Sequence, residues 1–227
     1  MEELKKMGFF LKKNKSLVIT TLTLIGFMVI LFTGSTVVSN EDMQANADGP
    51  SASSTDFNAE EYVEETWESE VLPYFEDNKR DIMEIFNQIN EKDLAVVGEE
   101  LGVKDGSSFN FIVAGKGEVV SVNTESRKGV SEIDVEPYDG SPDFTLQIGP
   151  VFEGYAIRDV LDYIKFEDFN NQIEWAQLGT TYNTKSYQDN LEGIELKEGL
   201  EISYTGVLTA SEEVSLLTPV LVRGGGE

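Results

Sequence analysis

The chain has 227 residues, 40% of them apolar, with 42 acidic against 17 basic side chains and a formal charge of −25. Such a surplus of carboxylates repels nucleic-acid phosphates, whose recognition needs clustered Lys and Arg, so nucleic acid is excluded as a partner. Cysteine and histidine are absent, which removes disulfides, thiolate chemistry, the common zinc ligands and the usual general base near neutral pH; no metal or cofactor is expected.

Five lysines (Lys5, Lys6, Lys12, Lys13 and Lys15) precede an uncharged run over 16–40. Basic first and apolar second is the order of an export signal. Residues 17–38 are long enough, at 1.5 Å per residue, to cross a hydrocarbon core of about 30 Å. The lysine side stays cytoplasmic, so the remainder lies outside. The expectation is a lysine flank and signal-anchor helix over 1–38, giving a single-pass cell-membrane protein whose C-terminal domain is extracytoplasmic. The alternative is secretion after cleavage following Ala47, in the small-residue sequence Ala45-Asn46-Ala47. The small polar residues of 39–56 read as a flexible tether.

A helical segment is expected over 57–105. Thr55 or Asp56 supplies a cap, Glu60 and Glu61 suit the first turn, and Val63, Trp67, Val71 and Phe75 fall at helical spacing. Pro73 kinks or divides this helix. The pattern resumes at Ile82, Ile85, Phe86 and Ile89, and a shorter helix over 93–101 ends at Gly102. From Phe109 the period becomes two. Strands are expected around Phe109–Val113, Val120–Val122, Ile133–Val135, Phe144–Ile148, Leu200–Tyr204 and Val214–Val222, with turns at 115–117 and 127–129. Ala156–Ile164 reads as a short helix between them. Short antiparallel strands with one helical interruption fit a small OB-like β-barrel over 106–223, with a sandwich as the competing arrangement and 224–227 as a tail. The fold class is therefore α+β: an N-terminal membrane helix, a helical segment, then an OB-like antiparallel barrel.

Three stretches invite a functional reading. Asp134, Asp139 and Asp143 surround Gly140 like an oxygen-rich calcium loop, but the spacing misses the EF-hand pattern by one residue, so an acidic turn is the plainer reading. Arg127, in an acidic chain, could grip a carboxylate or phosphate, or pair with Glu125 or Glu132. The passage over 147–176 carries Arg158, Asn171, Gln172, Glu174 and Trp175. Amides and a carboxylate beside an indole suit a polyol ligand, and equally a buried structural network. Arg158 and Asp159 are adjacent and on a helix would not face each other, so each needs another partner, for Arg158 either Asp162 or a ligand. No second carboxylate accompanies Glu174 at a spacing that supports glycosidase chemistry, so no catalytic residue is assigned.

Several passages, in order, resemble a bacterial family of predicted periplasmic lipoproteins of unknown function: Tyr62-Val63, Trp67, Val71-Leu72-Pro73, Gly117 to Arg127, Leu146 to Val151, Ile157-Arg158-Asp159 and Phe166 to Glu174. The resemblance implies an OB-like barrel behind a helical part, in a setting beside ATP-driven sugar transporters, whose components would be partners. Ser35 stands after Gly34 where such proteins often carry the lipidated Cys, and a serine cannot take a thioether lipid. Retention by the apolar segment over 17–38 is the substitute. The expected function is a membrane-tethered extracytoplasmic binding or accessory protein, not an enzyme. The alternatives are a carboxylate-dependent carbohydrate hydrolase relying on Glu174, and a structural envelope protein with an acidic face.

Overall fold

Asn58, not Thr55 or Asp56, caps the first helix by accepting a hydrogen bond from the N–H of Glu61. The computed structural model describes residues 57–212 and 215–224; the anchor, the tether and most of the tail anticipated from the sequence lie outside these. Among the described residues no helix is long and apolar enough to cross a membrane.

Helix α1 (Ala59–Thr66) passes into a π-helical turn (Trp67–Val71) and then α2 (Leu72–Asn78). The wide turn, closed by Leu72 N–H donating to the Trp67 carbonyl, comes directly before Pro73. Proline cannot donate, and a register shift at that point lets the helix continue past it. A two-residue strand β1 (Arg80–Asp81) leads to α3 (Ile82–Lys92), capped by Asp81, and α4 (Leu94–Leu101), capped by Asp93. The helix expected over 93–101 is present, and its chain leaves at Gly102.

A short β2 (Val103–Asp105) pairs with the first long strand, β3 (Ser108–Asn123). β3 corrects one expectation, because it runs straight through 115–117 instead of turning there. The two glycines serve close approach: a Cβ on Gly115 would sit 2.8 Å from the Tyr204 hydroxyl, and one on Gly117 would sit 2.5 Å from Ile133 Cγ2 and 2.8 Å from a backbone carbonyl. Glycine within a strand marks such crowding as readily as a turn. β4 (Val130–Asp134) and β5 (Phe144–Gln147) follow, then helix α5 (Ala156–Asp159), a 3-10 turn (Phe166–Asp168) and α6 (Gln172–Asn190). β6 (Glu201–Ala210) and β7 (Ser215–Gly224) complete the chain.

The strands close on themselves: β3 pairs with β4, β4 with β5, β5 with β7, β7 with β6, and β6 back with β3. This is the five-stranded Greek-key barrel of an OB fold, with α6 in the connection that joins its third and fourth strands. The expectation of an all-antiparallel barrel is corrected at one seam, since β5 and β7 run parallel. A parallel pair needs a long crossover, and here the chain from β5 to β7 includes α6 and β6.

Phe111, Val113, Val119, Ile133, Leu146, Ile202, Leu208 and Leu217 fill the interior, with Ile82, Ile85 and Val97 of α3 and α4 packed against them. A second apolar cluster joins Val63, Trp67, Val71 and Phe75 to Ile157, Val160, Leu161, Leu178 and Tyr182, and to Val207 and Val220 of the barrel. This second cluster positions the stretch over 147–176.

Candidate functional site

β5 ends in Gln147, a buried amide that the alternating pattern does not single out. Its Nε2 donates to Thr218 Oγ1 on β7 at 2.8 Å, and its Oε1 accepts the Glu153 N–H. The loop leaving the barrel is thereby pinned before α5 begins. Gly154, at φ +74°, turns the chain, and Tyr155 lays its ring against α6 at Gly179, where a Cβ would lie 2.6 Å from the ring.

α5 lasts only Ala156–Asp159, shorter than the helix expected to Ile164; beyond it the bonds are single turns, Leu161 to Arg158 and Ile164 to Leu161. That early end decides the partner of Arg158. Its guanidinium is 6% exposed, and Nε and Nη2 both donate to Asp159 Oδ1, Nε at 2.8 Å. The expectation that these neighbours would not face each other on a helix is overturned: both lie in the last turn of α5, and their side chains pair. Nη1 donates to the Trp175 carbonyl at 2.8 Å, and the cation lies 4.0 Å from the Trp175 ring centroid and 4.7 Å from that of Tyr155. Two aromatic faces, one carbonyl and one carboxylate thus occupy the guanidinium. Burial raises the Asp159 carboxyl above its usual 3.8, outweighing the opposing pull of Arg158.

Glu174 is 1% exposed. Its carboxylate accepts the Asn170 backbone N–H at 2.8 Å and the Asn170 side-chain amide at 3.1 Å. Asn171 is the N-cap of α6, its Oδ1 accepting from the N–H groups of Ile173 and Glu174. The two residues form a reciprocal cap: an amide oxygen satisfies the first free donors, and an acidic side chain in the first turn reaches back. Asn171→Ala is expected to cost about 0.5–2 kcal/mol of folding stability, read as a lowered midpoint in urea denaturation; an unchanged midpoint would mean the cap contributes nothing.

Of the six residues singled out, the structure brings Arg158 and Trp175 into contact and joins Glu174 to Asn171 through the cap. Gln172 is exposed beside Ile173 on the outer side of α6. Arg127 stands apart, exposed in the turn between β3 and β4, with its carbonyl accepting from Val151 N–H. Among the described residues it pairs with neither Glu125 nor Glu132; Glu132 instead accepts from the Ser121 hydroxyl. Tyr155 and Gly179, which complete this arrangement, carry no signal in the sequence beyond their proximity to it, whereas Asp159 and Asn170 stand in the passages read from the sequence.

The carboxylates of the acidic turn are engaged by backbone. Asp134 accepts from Gly140 N–H at 2.7 Å, Asp143 from Val135 N–H at 2.8 Å, and Asp139 from Ser141 N–H. Among the described residues no group of three or more acidic side chains is placed to hold a metal ion.

No curated protein matches the chain. Among solved structures, an OB-fold protein from Thermotoga maritima is similar with a TM-score of 0.59 at 18% identity, covering 74% of this chain and 98% of the other; at that identity the likeness is one of fold alone. The family described as predicted periplasmic lipoprotein (DUF2291) matches residues 25–223, and the chain belongs to that family.

Proposed function

We propose that this is a non-catalytic, membrane-tethered extracytoplasmic module that binds or assists a partner, with a sugar transporter of the ATP-driven kind as that partner. The observation that carries the non-catalytic reading is the state of Glu174. The one carboxylate considered for hydrolysis is enclosed and spent on three hydrogen bonds to Asn170, whereas a general acid must reach the leaving atom. Membership of a predicted periplasmic lipoprotein family supports the extracytoplasmic setting. With no cysteine anywhere in the 227 residues, the apolar run over 17–38 replaces an acyl anchor in this reading.

Two measurements on the full chain test the proposal. Carbonate extraction of membranes is expected to leave the protein in the pellet; release into the supernatant would remove the anchor. Cross-linking in intact cells, followed by purification of the chain, is expected to recover transporter subunits. If it recovers none, and calorimetry with a sugar panel shows no heat, the accessory role is refuted. The hydrolase alternative predicts that Glu174→Gln abolishes turnover of chromogenic glycosides by the wild-type chain; no turnover at all is the expected result.

A further inference from the structure

In this acidic chain, half of the twelve Lys and Arg side chains among the described residues are committed to carboxylates, Arg158 with Asp159 among them. Lys79 pairs with Glu76, Lys92 with Glu100, Lys104 with Glu99, Lys128 with Glu153, and Lys185 with Glu64 and Asp189. Arg80, Lys116 and Arg223 make no ion pair among the described residues, and all three are exposed around one open concavity of about 430 Å³. Arg127, Lys165 and Lys197 also make no ion pair among the described residues, but none of them lines it.

The sheet register explains the convergence. Lys116 lies opposite Ser203, and Ser203 opposite Arg223, so the three form one row across β3, β6 and β7. Tyr204, next in β6, is buried in the barrel; alternation therefore sends Ser203 and Thr205 to the outer face. Strands lie about 4.8 Å apart, which puts the Lys116 and Arg223 backbones about 10 Å from each other with a hydroxyl between them. Arg80 enters from β1, which pairs along β3 at Val113 and Ala114. Asp81, which also lines the concavity, uses Oδ1 to cap α3, accepting Met83 N–H at 2.8 Å. Glu118 and Glu201, one row further along β3 and β6, form no ion pair with Lys116. The remaining negative charge is spread over the chain and screened beyond about 8 Å at physiological salt, so the local cations govern what approaches.

We propose that this concavity is an anion site that takes a phosphate group, offered by a soluble phosphate ester or by the headgroup of an anionic phospholipid. Two guanidinium forks, an ammonium and two hydroxyls, reaching in from several strands, match a tetrahedral phosphate whose oxygens spread in three dimensions better than a planar carboxylate. The site uses β1, β3, β6 and β7 and none of the residues at the α5–α6 join, so it stands or falls independently of the accessory role.

Arginine footprinting with phenylglyoxal, read by mass spectrometry on the full chain, tests it. In detergent micelles, inorganic phosphate at ten times its half-saturating concentration is expected to slow modification of Arg80 and Arg223 about tenfold. Arg127 serves as the exposed control, and sodium chloride at equal ionic strength as the blank. In nanodiscs, phosphatidylglycerol is compared with phosphatidylcholine. Protection by soluble phosphate supports the site with a soluble ligand; protection only in phosphatidylglycerol supports it with a headgroup. Equal rates at Arg80, Arg223 and Arg127 under every condition overturn the proposal, as does protection that extends to Arg127. In the double variant Lys116→Ala/Arg223→Ala, whose side chains are exposed and whose fold is checked by circular dichroism, the protection of Arg80 is expected to vanish. Undiminished protection there also overturns it.

Discussion

Trp67→Ala is expected to lower folding stability by about 3–5 kcal/mol, the usual cost of emptying a large aromatic site in a core. Trp67 is 2% exposed and tilts against Tyr182 of α6, ring centroids 6.1 Å apart. It holds the N-terminal helices to the helix that rides on the barrel, within the second cluster and not the barrel interior. For a domain of this size each kcal/mol moves the melting midpoint by about 2–4 °C, so a fall of about 6–20 °C is the readout in a circular-dichroism melt. A loss below about 1 kcal/mol would show that the site collapses freely and that the helical segment is only loosely bound.

Arg158→Ala separates a structural arginine from a ligand-binding one. An arginine reserved for a ligand is stability-neutral when removed. This one leaves Asp159 without its cation, the Trp175 carbonyl without a donor and two rings without their filling. Breaking a buried pair typically costs 3–5 kcal/mol; with Asp159 27% exposed, solvent takes part of the load and about 2–4 kcal/mol is expected. The pH dependence follows from the raised carboxyl of Asp159. A raised native pKa means that the folded state holds the proton more tightly, so this group's contribution falls as pH climbs through that pKa. Removing Arg158 deletes the influences that lower it and raises it further. The penalty of Arg158→Ala is therefore expected to be larger at pH 7 than at pH 4, by urea titration at each pH. A penalty independent of pH would mean that Asp159 is not desolvated.

The helix missing from the sequence reading, α6, shows why some of the fold was hidden. Its buried stripe is Glu174, Leu178, Gly179, Tyr182, Asn183, Ser186 and Asn190. The spacing is helical but most of the residues are polar or lack a side chain, so hydrophobic periodicity passes over it. The stripe is tolerated because the barrel and the loop leaving it supply acceptors: Ser186 donates to the Pro219 carbonyl and Asn190 to that of Val220 on β7, and Asn183 to that of Gly154 in the loop. Pro219, which has no N–H to offer, lies beside the register shift between Thr205 and Gly206, where β7 can accept it.

By itself the sequence determined the class of the protein: the lysine-flanked apolar run, the acidic surface without Cys or His, the change of period from helix to strand, and the alternating rows that become β5, β6 and β7. These are local patterns, set by which neighbours along the chain are apolar. Only the tertiary structure decided that Gly115 and Gly117 lie inside a strand, that one barrel seam is parallel, and that Glu174 is a cap. It alone paired Arg158 with Asp159, and it alone set Arg80, Lys116 and Arg223 around one concavity. Each of these depends on residues distant in sequence meeting across a closed barrel, or on where a helix begins or stops, and neither is written in the period of a single segment.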